Sequence, residues 1–203
     1  IDVADTKTLT YYGTAISLGA NTLTLSGGGS FVSGGLTLNN ADSKLLLNSI
    51  TLDNATTSAN SLGIDVDNNS TVTSLSVGYI TPVSIASGKT LSGAITVTAG
   101  SLKLTETGTL ASTISMSGGV LDADESSTVS GVLSHTADIT IDVADTKTLT
   151  YSGTAISLGA NTLTLSGGGS FVSGGLTLND ADSKLLLNSI TLDNATTSAN
   201  SLG

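Results

Sequence analysis

The residues of this chain that carry chemistry are carboxylates and hydroxyls. Asp122 and Asp142 stand twenty residues apart, with Lys103 nineteen before the first. If stretches of that length stack, the two carboxylates come to lie about 5 Å apart, a spacing that could hold calcium or serve as an acid/base pair. Lys103, one layer earlier, would screen them, and the screened arrangement is the expected one. Asp65-Val66-Asp67-Asn68-Asn69 starts like an EF-hand loop. Its sixth position is Ser70 and its twelfth Ser76, where such a loop needs glycine and a bidentate glutamate. Asp65 and Asp67 are therefore calcium candidates in an incomplete loop. The single histidine, His135, falls at an inward-leaning position near a corner and reads as a packed residue. SGGGS at 26–30 is followed by no lysine and no helical pattern, so it is a corner and not a phosphate loop. Asn54-Ala55-Thr56, Asn68-Asn69-Ser70 and Asn69-Ser70-Thr71 match the glycosylation acceptor pattern, which an Asn- and Thr-rich chain meets readily by chance.

The hydroxyls are more orderly. One series is Thr8, Ser30, Thr51, Thr71, Thr90, Thr109, Thr128 and Thr148; another is Ser17, Thr37, Ser58, Ser76, Thr96, Ser115, Ser134 and Ser157. Each residue precedes or sits between apolar residues, so it points outward where its neighbours point inward. Threonine suits an exposed strand, and stacked hydroxyls help adjacent strands pair. The sharper alternative is a hydroxyl surface for ice, mineral or glycan. For ice, the Thr-x-Thr pairs at 8/10, 71/73 and 148/150 fit, but Val32, Asp53 and Ala111 interrupt the second rank.

What positions these residues is a repeat. Residues 1–63 return as 141–203 with two changes, Tyr12 to Ser152 and Asn40 to Asp180. The chain thus holds one 140-residue repeat (1–140) and the start of the next (141–203), continuous with it, which is the mark of an array. Within the repeat, short alternating runs follow one another, separated by Gly, Asn, Asp or Ser, with one proline and no helical period. Apolar pairs at Ile1/Val3, Leu23/Leu25, Leu45/Leu47, Ile64/Val66, Val83/Ile85, Leu102/Leu104, Leu121/Ala123 and Ile141/Val143 form a first track. A second track runs through Leu9, Phe31, Leu52, Val72, Leu91, Leu110, Val129 and Leu149. A third runs through Ile16/Leu18, Leu36/Leu38, Thr57/Ala59, Leu75/Val77, Ile95/Val97, Ile114/Met116, Leu133/His135 and Ile156/Leu158. The three advance together every 19–22 residues. This predicts an all-β, single-stranded, right-handed parallel β-helix with three strands per turn, about 20 residues per turn, and seven turns per repeat. At about 4.8 Å per turn, one repeat is roughly 34 Å long.

Composition narrows the partners. All six basic residues are lysine against sixteen acidic ones, and the net charge is −10. That charge repels nucleic acid and anionic headgroups. Cysteine is absent, and no apolar run is long enough to cross a bilayer. No cofactor is called for, and no arginine is present for a polysaccharide-processing site on the same scaffold, so an enzyme is not expected.

The stretches IASGKTLSGAITVTAGSLKLTETGTLAS (85–112) and GANTLTLSGGGSFVSGGLTLN (19–39) resemble the right-handed β-helical stalks of bacterial autotransporter passengers and haemagglutinin-type adhesins. The resemblance runs the length of the chain and carries over no catalytic residue. It implies an exported protein of the cell surface, a scaffold or spacer in a long repetitive filament. Its partners would be neighbouring repeats, other copies in the filament, and glycans or other cells at its end. The expected absence of a leader and of end caps follows from reading the chain as a window on such an array.

Overall fold

The computed structural model describes residues 1–197; residues 198–203 of the second copy lie outside the described residues. The chain coils as a parallel β-solenoid of about ten turns of about 20 residues. Every strand pair is parallel and joins successive turns, because the backbone groups of one turn find their partners on the next. Face one is a nine-stranded sheet, extended by the Asp2–Ser26 bridge. Faces two and three merge into one 14-stranded sheet, because three long strands (Thr51–Thr57, Ser70–Val77 and Thr90–Val97) run through the corner between them. A separate three-stranded sheet continues face three from Ile156 onward.

Alternation explains the core. Inward Leu, Ile and Val from all three faces form one continuous buried cluster from Val3 to Leu178. Each fully buried residue of this size contributes roughly 1.5–3 kcal/mol, and no turn completes that burial without its neighbours. Corners are closed by side chains acting across turns. The Asn39 carboxamide accepts from Gly19 N (2.8 Å), and its counterpart Asn179 accepts from Gly159 N (2.9 Å). The two copies also share unusual backbone: Thr6 and Thr146 have φ of 60° and 64°, Ser49 and Ser189 of 56° and 54°.

Facing agrees with the sequence tracks; register departs from them at defined steps. On face one Val83 pairs with Leu104, not Leu102, and Ile141 pairs with Leu165, not Leu163. On face two Val72 pairs with Gly93, not Leu91, and Val129 pairs with Tyr151, not Leu149. Each step is a slip of two residues. Followed turn by turn, Leu23 leads through Leu45, Ile64, Val83, Leu104 and Ala123 to Val143. Leu163, the counterpart of Leu23, pairs instead with Ile139. Successive repeats therefore drift by four residues along the strand while facing the same way. The slip at Val83/Leu104 buries Thr81 opposite Leu102, and its hydroxyl donates to the buried Thr57 hydroxyl at 3.0 Å. On face three, the inward pair of the third turn is Ala55/Thr57, not Thr57/Ala59. Ala55 pairs with Leu75 and Thr57 with Val77, and both are buried.

Candidate functional site

Face one carries the charge. Its outward row places Pro82, Lys103, Asp122, Asp142 and Ser166 in register on five successive turns. Lys103 Nζ lies 3.0 Å from Asp122 Oδ2 and 2.8 Å from Asp124 Oδ1, bridging two carboxylates of the next turn. Asp142 accepts a hydrogen bond from the Ser166 hydroxyl. Elsewhere Lys44 pairs with Asp65 at 2.6 Å, and Lys147 with Glu125 at 2.6 Å. Asp67 is exposed and lies past the end of the Gly63–Val66 strand.

The electrostatics follow from this arrangement. Burial pushes the Asp122 carboxyl above its ordinary range, outweighing the hydrogen bond and charge of Lys103 that pull it down. The hydrogen bond to Asp124 leads the effects that raise the Lys103 ammonium above its usual value, against desolvation. A calcium ion takes six to eight oxygen ligands. Among the described residues no cluster of three or more His, Cys, Asp or Glu side chains has the geometry to hold a metal. Asp122 and Asp142 do stand side by side, one oxygen of Asp122 turned to the Lys103 ammonium and one of Asp142 to the Ser166 hydroxyl.

The hydroxyl series occupies the other two faces in stepped ranks. On face two the register runs Thr8–Ser30–Thr51–Thr71–Ser92, then Thr90–Thr109–Thr128–Thr150, then Thr148–Ser170–Thr191. The two-residue slips carry Thr71 onto Ser92 and Thr128 onto Thr150, so each slip still meets a hydroxyl. Thr71 and Ser92 share a hydrogen bond of 2.8 Å. On face three Ser17, Thr37, Thr56, Ser76, Thr96, Ser115 and Ser134 align without interruption, with Thr56 in the place expected of Ser58.

An open groove of about 510 Å³ lies on face one where the repeats meet, lined among others by Val120, Asp138, Thr140, Thr164 and Lys184. Asp138 accepts from Thr162 N at 2.7 Å. His135 is half-buried; its Nδ1 lies 3.1 Å from the Ala137 carbonyl, and its Nε2 is buried without a partner. SGGGS forms the corner between faces one and two, with Gly27 and Gly28 at φ of 108° and 78°. The Asn68 carboxamide donates to Asn48 Oδ1 at 2.7 Å, and Asn69 accepts from Thr90 N, so both sequon side chains brace neighbouring turns.

Sequence reasoning missed Asp124 and Glu125 as ion-pair partners. Their signal was present: Asp124 lies 21 residues after Lys103 and Glu125 lies 22 before Lys147, one turn in each case. It also missed Tyr151, whose buried hydroxyl spans two turns.

The fold and its faces define a parallel β-solenoid with one ion-laced face and two hydroxyl faces. No protein-family model, curated protein or solved structure matches the chain.

Proposed function

We propose that this chain is a structural segment of a long extracellular filament or adhesin stalk, a scaffold that holds a binding end away from a cell surface. The observation that supports this reading most is the way the repeat resumes. The strand Thr162–Ser166 repeats Thr22–Ser26 and adds to the same sheet seven strands later, with no boundary between two separate cores. A solenoid grows by addition of turns, so a repeat that resumes in the same column makes length. Ion pairs satisfied within the chain and ranks of neutral hydroxyls suit a spacer in water.

The test is antibody labelling of intact producing cells, paired with electron microscopy of strains in which whole repeats are deleted. Labelling without permeabilisation, and filaments shortened by roughly 34 Å per deleted repeat, agree with the proposal. Labelling that requires permeabilised cells, or filament length indifferent to repeat number, overturns it. A second reading, glycan binding by the hydroxyl faces, is favoured by the seven aligned hydroxyls from Ser17 to Ser134. It predicts retention on immobilised glycans that is lost when Thr37, Thr56 and Thr96 are changed to alanine together.

A further inference from the structure

Face three is hydrogen-bonded at every turn-to-turn step among the described residues except one. Pairing runs from Ile16 through Leu36, then Thr37/Thr56 and Ala55/Leu75, and on through Ile95 and Ile114 to Leu133. It resumes between Ile156 and Leu176. Between Leu133–His135 and Ile156–Ser157 no ladder forms, and the sheet is divided there. This is the seam where residue 140 passes into 141, the start of the second copy. Both other faces slip by two residues close by, at Val129/Tyr151 and Ile141/Leu165.

A side chain stands in for the missing ladder. The Tyr151 hydroxyl accepts from Leu133 N at 3.0 Å and donates to the Thr154 carbonyl at 2.7 Å, while its ring stacks on Phe171 with centroids 6.5 Å apart. Tyr151 is 2% exposed. The seam also leaves His135 Nε2 buried without a partner. A stack of turns behaves as a chain of nearest-neighbour interfaces, and an interior interface that lacks the ladder of one whole face yields before its interior neighbours.

We infer that the seam between repeats is a built-in joint, latched by Tyr151, that opens before the other interior turn-to-turn steps. The cooperative unit is then the seven-turn repeat, and a longer array bends and extends at one joint per 140 residues. The extension to arrays rests on the filament reading; the joint itself belongs to this chain and is tested on it.

The experiment is amide hydrogen exchange on the 203-residue chain, resolved by residue. Leu133 is compared with Ile114, whose N donates to the Val132 carbonyl at 2.7 Å one turn earlier in the same column. The expected result is exchange at Leu133 at least tenfold faster than at Ile114. Tyr151→Phe should speed Leu133 by about a further tenfold and leave Ile114 unchanged. Tyr11→Phe, the same position in the first turn, where Tyr11 is 44% exposed, should change neither. Equal protection at Leu133 and Ile114 in the unsubstituted chain overturns the inference, as does a Tyr151→Phe chain whose seam exchanges no faster. Loss of the roughly 34 Å axial period in native filaments would sink the filament reading and leave this result standing.

Discussion

Gly93→Ala tests the register slip on face two. Gly93 has φ of 120°, a region costly for any residue with a Cβ, and a Cβ there would sit 1.8 Å from the Val72 carbonyl oxygen. The oxygen is backbone, locked in the sheet opposite Gly93, so it cannot rotate away as a side chain would. The backbone conformation alone costs of order 1–3 kcal/mol, and moving a paired strand adds to it. A loss of about 3 kcal/mol is expected. Gly88→Ala is the control: φ is 71°, but nothing lies within 4 Å of its Cβ position, so only the conformational cost of about 1 kcal/mol applies. The assay is urea unfolding followed by circular dichroism, with both variants measured beside the parent chain. With an m-value of about 2 kcal/mol/M, Gly93→Ala lowers the midpoint by about 1.5 M and Gly88→Ala by about 0.5 M. In the unslipped register Leu91 would face Val72, and Gly93 would stand at an open corner like Gly88. Equal midpoints for the two variants would therefore refute the slip.

Other expectations concern the ion-laced face and the core. Asp122 has its folded pKa raised, chiefly by burial, so its ionisation costs stability as pH rises from below the ordinary carboxylate value of 3.8 through the higher folded value, and the cost is absent below that window. Asp122→Asn should then match the parent in acid and equal or exceed it at neutral pH, read by melting temperature across pH; a variant much less stable at neutral pH would contradict this. Lys103 has its folded pKa raised above 10.5, so its contribution is present below 10.5 and is lost as pH rises through the folded value; Lys103→Met should erase that alkaline segment of the melting profile. Leu110→Ala opens a cavity at a fully buried position and should cost about 2–5 kcal/mol in urea unfolding. Melting in millimolar calcium and in chelator should coincide, since two carboxylates fall short of calcium's six to eight oxygen ligands and each already gives one oxygen to Lys103 or Ser166.

The inward positions were legible because a half-buried strand writes its facing in a period of two. Leu45/Leu47, Ile64/Val66 and Ile114/Met116 stand where the alternation puts them. The same period hides register: a slip of two residues changes every partner and no facing, so Val83 reads alike opposite Leu102 or Leu104. Thr81 conceals the Val83/Leu104 slip further, being a hydroxyl at a buried position made tolerable by its bond to Thr57. The third-turn pair was misplaced by two residues for a related reason, since Ala55, Thr57 and Ala59 are all small and weakly apolar. Tyr151 shows the limit of local reading: its hydroxyl is engaged by Leu133 N of the preceding turn, a partner that alternation within its own strand does not reveal. The face-one carboxylates were found, but Asp124 and Glu125 needed a comparison one turn away that alternation does not supply.

The most direct measurement is the axial power spectrum of the native assembly by electron microscopy. Repeats stacked as one solenoid give a layer line near 4.8 Å from the turns and another near roughly 34 Å from the seven-turn repeat. Separate beads at some other axial spacing, without the turn reflection, would mean that each 140-residue unit folds on its own and the continuous column is wrong.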